Sequence, residues 1–208
     1  MRLSDAADPP GAVREAMPWE VSDARWRDVS GMVNIVVAAA AQGSFAPAFL
    51  DVRYQIGLAL QLFSAVLRGR VAVRGQPATP VTVRVVRLGR EVQGFALVRE
   101  FPHAAAAPHL ELHLLVVGAE ARRKGVGEAL LRDCVSRLAD GQGLWLSTLT
   151  QAGAMKRLVR KLGAHPLGVM HALGRKQQPL EAFVFGSSEP VGWQRLPWRD
   201  WLGSAHWR

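Results

Sequence analysis

One cysteine, Cys134, and one tyrosine, Tyr54, stand in a chain of 208 residues. A lone thiol excludes an intramolecular disulfide and fits a reducing compartment. Long apolar runs are missing too: the longest, Ile35 to Ala41, is mostly alanine and falls far short of the ~20 residues that span a bilayer. The opening stretch MRLSDAADPPGAVREAM has no continuous apolar segment of the kind a secretory signal carries. A soluble cytoplasmic protein is the expectation. Acidic residues are also scarce, 17 against 26 lysines and arginines, for a formal charge of +9. Hydrophobic residues make up 49% and charged residues 21%, which excludes a disordered or collagen-like chain and leaves a globular one with a sizeable core.

The excess charge is uneven. Residues 1–100 carry a net +3 and residues 101–208 a net +6, and between Gln151 and Lys176 there are six cations and no acid. Such a field attracts a polyphosphate, a nucleic acid or an acidic surface, and charge alone does not choose among them. A solvated cationic helix face explains it equally well.

The pattern divides the chain into a flexible lead-in over 1–20, a folded domain over 21–187 and a tryptophan-rich tail over 188–208, with no internal repeat. Residues 22–68 read as two helices: Ser22-Asp23 is a plausible cap, and Ile56, Leu60, Phe63 and Leu67 recur at helical spacing after the break at Gln42-Gly43-Ser44 and Pro47. PVTVRVVR (80–87) and 92–101 alternate as strands joined by Leu88-Gly89-Arg90-Glu91, an antiparallel hairpin. HLELHLLVV (109–117) is a third strand after the alanine-rich loop 102–107. Val126, Leu130, Cys134 and Leu138 then mark the buried face of a helix that Gly141 ends, so Cys134 reads as a core residue and not a nucleophile. A strand over 143–150, a helix over 151–162 and closing strands over 165–173 and 179–186 complete an α/β domain with a mixed sheet.

Between the third strand and that helix lies ARRKGVGEALL. Two glycines with free amides at a helix N-terminus, beside three cations, suit an anion; a Cβ at either glycine would hold phosphate oxygens away from the backbone. A P-loop would need lysine and a hydroxyl after the last glycine, where Glu128-Ala129 stand, and a dinucleotide fingerprint would need a third glycine, where Leu130 stands. The remaining pattern is Arg122-x-x-Gly125-x-Gly127 after a strand ending in Val117.

That pattern, from Leu110 to Leu138, resembles the signature of the GNAT superfamily of acyl-CoA-dependent N-acetyltransferases, with the wider likeness running from about Pro80 to Phe185. The resemblance implies a central mixed, mostly antiparallel sheet flanked by helices, with strands splayed at the acyl-CoA site. It implies acetyl-CoA or another acyl-CoA as co-substrate and an amine acceptor, small molecule, peptide or protein. It also implies a cofactor site in which the pyrophosphate meets the amides of Arg123, Lys124, Gly125, Val126, Gly127 and Glu128, with Arg122 beside them. The pantetheine arm would lie along Leu115, Val116 and Val117, and an amide near Val117 would face the oxyanion.

Acyl transfer to an amine needs a base, an oxyanion donor and a route for protonating the thiolate. Glu111 and His113 lie two apart on one strand and share a face under strict alternation, so both are candidate bases. His109 and His113 do not make the i, i+4 helical pair of a zinc site, and no metal is expected. For the acid the sequence departs from the superfamily: its frequent tyrosine falls at Val159, and its frequent asparagine has only Gln151 nearby. Ser147, Thr148 and Thr150 remain as hydroxyls. A catalytically silent acyl-CoA sensor is therefore one alternative. A basic RNA-associated protein is another, because Trp193, Trp198, Trp201 and Trp207 alternate with arginines, although docking on the domain's own surface or in a homodimer is the simpler use of them.

Overall fold

The computed structural model describes residues 19–45, 47–71, 78–100, 110–150, 152–171 and 179–186. The lead-in before Trp19, the loop 102–107 with His109, Gln151, the turn before Pro179 and the tail 188–208 lie outside these residues.

In chain order the elements are β1 (Val21–Asp23), α1 (Val29–Ala41), α2 (Val52–Arg68), β2 (Arg70–Val71), β3 (Thr79–Leu88), β4 (Glu91–Glu100), β5 (Leu110–Val117), α3 (Val126–Ser136), β6 (Gly143–Leu149), α4 (Gly153–Lys161), β7 (His165–His171) and β8 (Pro179–Gly186). They form one open eight-stranded sheet in the order β1-β3-β4-β5-β6-β8-β7, with β2 added on β3. Every described pairing is antiparallel except β5 with β6. Helices cover both faces. Met32 and Val36 of α1 and Leu58 and Leu62 of α2 pack on Val83, Val85 and Phe95, while Leu130 and Leu131 of α3 and Val159 of α4 pack on Val86, Leu144 and Phe183.

Local chemistry sets the element ends. The Asp51 carboxylate caps α2 by accepting the Arg53 amide at 2.8 Å, and Gly69, at φ 60°, releases the chain from the helix. The expected cap at Ser22-Asp23 is a strand instead: β1 pairs with β3, and Asp23 reaches the buried Arg84, which also binds Asp133 of α3. A buried guanidinium needs such partners, and satisfying it outweighs a cap. Ile56, Leu60 and Leu67 do mark a helix, but they lie on its exposed side, opposite Leu58, Leu62 and Ala65.

The third strand is irregular. Leu97 pairs with Leu114 and Val98 with Leu112, so His113 is an extra residue in β5. Such a β-bulge bends a strand and ends regular pairing. Its consequence is visible on both sides of the strand: Leu112, Leu115 and Val117 face α3 and α4, whereas Leu114 and Val116 face α1 and α2. On the other edge, β5 pairs with β6 only through Leu110–Leu144 and Glu111–Trp145. Past Glu111 the two strands separate, and the gap lies in the middle of the sheet.

Gly94 brings the start of α3 down onto β4. A Cβ there would lie 2.9 Å from the Val116 carbonyl oxygen and 2.9 Å from Val126 Cγ1. Gly94→Ala is expected to cost about 1–3 kcal/mol by overpacking, read as a Tm lowered by roughly 2–10 °C in thermal denaturation. An unchanged Tm would mean that this approach is not tight.

Candidate active site

Two clefts open at the splay. The first, about 640 Å³, is lined by Leu115, Val116 and Val117 of β5, by Arg122, Arg123, Gly125, Gly127 and Glu128 of the glycine turn, and by Ala154, Met155 and Leu158 of α4. The second, about 780 Å³, is lined by Leu112, His113 and Leu114 of β5, Leu146 to Leu149 of β6, Leu180 of β8, and Gly43, Ser44, Phe45 and Pro47 between α1 and α2. Ser44, Phe45, Leu115 and Met155 line both, so the two compartments meet where β5 and β6 part.

The glycine turn explains the first cleft. Ala129 donates to the Gly125 carbonyl at 2.9 Å, the first bond of α3, which leaves the amides of Gly125, Val126, Gly127 and Glu128 as the unpaired start of the helix. Gly125 has φ 85° and Arg123 φ 61°, so this tight backbone demands glycine at 125 on conformational grounds alone. Gly127 differs: a Cβ would meet Val117 and Leu158 at ordinary contact distances of 3.5 and 3.6 Å, so the protein itself has room for it and only an occupant of the cleft would forbid it. The Lys124 carbonyl accepts from the Trp19 indole at 2.5 Å, and the Val126 side chain is buried in the core, so these two residues contribute backbone and not cleft wall.

One carboxylate stands among the donors. Glu128 binds Lys161 of α4 at 2.8 Å and Arg132 at 2.9 Å, and these two cations hold its carboxyl below the usual range. Its charge is thus neutralised by its neighbours, and the helix dipole and Arg122 and Arg123 set the sign of the cleft. Free amides, left-handed glycine and basic surroundings fit a pyrophosphate, and the apolar walls of Leu115, Val117, Met155 and Leu158 fit a thin uncharged arm.

The second cleft carries the titratable group. Glu111 is 3% exposed and forms a buried ion pair with Arg99, across the β4–β5 pairing. Its other oxygen, Oε1, lies 3.2 Å from His113 Nδ1. The two candidate bases therefore do meet, and they differ in access: the His113 side chain is 43% exposed and lines the cleft, while Glu111 sits behind it. Ser147 and Thr148 line the same cleft. Val159 is fully buried in the core, and the α4 residues that reach the clefts, Ala152 being just ahead of the helix, are Ala154, Met155 and Leu158, without a proton donor. Cys134 is buried against α3's core side, and burial pushes its thiol up to about 12, as suits a packing residue.

Sequence reasoning did not single out four contributors. Trp19 holds the glycine turn through Lys124, and nothing in the sequence near position 19 signals that contact. Arg99 had a signal, a cation on the strand paired with Glu111's. Phe45 and Pro47 lie in what reads as a helix break and become cleft wall. Among the described residues, no three His, Cys, Asp or Glu side chains gather as a metal would require, and no helix is long and apolar enough to cross a membrane.

Comparison with known proteins agrees with the fold. The profile of the acetyltransferase (GNAT) family matches residues 58–164. Among curated protein sequences, none matches the chain. Solved structures do. A ribosomal-protein-alanine N-acetyltransferase from Brucella melitensis is 18% identical, with 81% of this chain and 99% of that one covered at a TM-score of 0.61. A GNAT phosphinothricin acetyltransferase from Sinorhizobium meliloti, in complex with acetyl-CoA, is 20% identical, with 83% and 92% covered at 0.60. A GNAT-family acetyltransferase from Bacillus cereus is 18% identical, with 82% and 99% covered at 0.55. At these identities the likeness is one of fold, and the mixed sheet flanked by four helices is the fold they share.

Proposed function

Because the chain belongs to the GNAT family of acetyltransferases, we propose that it moves an acetyl group from acetyl-CoA to an amine. The observation that carries this reading is the meeting of two clefts at the β5–β6 splay, one with helix-start amides and the other with His113. The relative from Sinorhizobium meliloti was solved with acetyl-CoA, which supports the same co-substrate here.

Acetyl-CoA, when bound, supplies the acyl thioester. The amides of Gly125 to Glu128 and the Arg122 and Arg123 side chains would hold its pyrophosphate, and Leu115 to Val117 would line its arm. His113 takes the proton that the attacking amine gives up. Glu111 is the positioning residue: by accepting a hydrogen bond from Nδ1–H it fixes the tautomer in which Nε2 is the basic nitrogen, and Arg99 holds that carboxylate in place. Solvent or a cleft hydroxyl such as Thr148 would supply the proton that the leaving sulfur needs, since among the described residues α4 offers no donor to the cleft.

That missing donor favours one second reading, acyl-CoA binding without turnover. Thiol release separates the two. The full chain with acetyl-CoA and a panel of primary amines is expected to release free thiol only when an amine is present, at a rate that follows amine concentration. Tight acetyl-CoA binding with no amine-dependent thiol release would assign the protein to binding alone.

A further inference from the structure

The walls of the second cleft say what kind of amine it accepts. Beyond the four residues it shares with the first cleft, it is built from Leu112, Leu114, Leu146, Leu149, Leu180 and Pro47, with His113, Ser147 and Thr148 as its polar points. Among its described lining residues no acidic side chain occurs, and the nearest buried carboxylate, Glu111, is already taken up by Arg99 and His113. A charged group moved from water onto such walls loses its hydration and gains no counter-ion. A methyl or methylene group placed there is stabilised by leaving water. We infer that the acceptor is a primary amine carried on an uncharged apolar body, and that amines with a second cationic group are rejected.

The inference rests on the acyltransferase reading for its role in catalysis, but the recognition it describes is testable without turnover. Placement of the polar points agrees with it. His113 stands on the bulge of β5 at the edge of the splay, where an amine nitrogen would reach the first cleft, while Leu149 and Leu180 pair with each other on β6 and β8. Ser44 and Phe45, which line both clefts, come from the connection between α1 and α2, so that connection bounds the acceptor next to the co-substrate.

A matched pair of ligands tests this. n-Hexylamine and 1,5-diaminopentane have the same number of heavy atoms and differ only in a terminal methyl against a terminal ammonium. Calorimetric titration of each into the full chain saturated with CoA is expected to give at least tenfold tighter binding for hexylamine. In the thiol-release assay the ratio of kcat/KM should favour hexylamine by about 10²-fold or more, the scale on which an apolar pocket discriminates. Leu180→Glu, which places a carboxylate among those walls on a half-buried strand position, should shift the binding ratio at least tenfold toward the diamine and leave acetyl-CoA affinity unchanged. Equal binding of the two amines, tighter binding of the diamine, or no response to Leu180→Glu would overturn the inference. Preferential binding of hexylamine with no thiol released would uphold it while removing the acyl-transfer reading.

Discussion

Gly125→Glu is expected to weaken acetyl-CoA binding at least a hundredfold, about 2.8 kcal/mol in binding free energy. Two independent causes act at this position. Gly125 has φ 85°, a conformation in which an L side chain is strained by about 1–2 kcal/mol. A glutamate there also brings a carboxylate to the helix start whose amides, at Gly125 to Glu128, would otherwise receive phosphate oxygens. A Cβ at 125 meets Trp19 at 3.8 Å, an ordinary contact, so the fold has room for it. The comparison is made by titration calorimetry, with thermal denaturation as the control: Tm is to fall by no more than several degrees while affinity collapses. Unchanged affinity in a folded variant would sink the site assignment.

The second large effect concerns turnover and spares binding. His113→Gln keeps a polar side chain beside Glu111 but removes the imidazole proposed to take the amine proton. A drop in kcat of about 10²–10⁴-fold is expected, the usual worth of general acid–base catalysis, with the acetyl-CoA dissociation constant within twofold of the wild type and the acidic limb of the kcat–pH profile abolished. Glu111→Gln is expected to lower kcat by a smaller factor and to shift that limb without abolishing it, because the imidazole remains but its tautomer is no longer fixed. Loss of the buried carboxylate also removes the charge that Arg99 pairs with across the strands, so this variant alone is expected to be less stable. Wild-type kcat in His113→Gln, with the acidic limb lost only in Glu111→Gln, would give the base's role to Glu111.

Much of this architecture was legible because the elements that build it are locally consistent. The β3–β4 hairpin, α3 with its four-residue apolar repeat, and β8 lie where alternation and turn residues put them, and the glycine turn announces itself by a strand before it and a helix after it. The bulge at His113 was not legible. HLELHLLVV alternates without a glycine or proline to mark an irregularity, and only pairing with β4 shows that one residue is extra. That single residue reverses the phase of the strand beyond it and puts His113 on the wall of the second cleft. The distinction between His113 and Glu111 was equally hidden: it depends on Arg99, twelve residues earlier in sequence and across the pairing from Glu111. The Ser22-Asp23 cap failed for a related reason, since the demand of a buried arginine from β3 decided where that segment went. Composition near position 19 gives no hint that its indole braces the glycine turn. Long-range partners, and not local propensity, set each of these features.

If the turn from Arg122 to Glu128 receives an acyl-CoA, titration calorimetry of the full chain with acetyl-CoA and, separately, with CoA will show one binding site with a micromolar dissociation constant for each. No heat of binding at millimolar cofactor would contradict it and would leave ARRKGVGEALL as an ordinary turn into a helix.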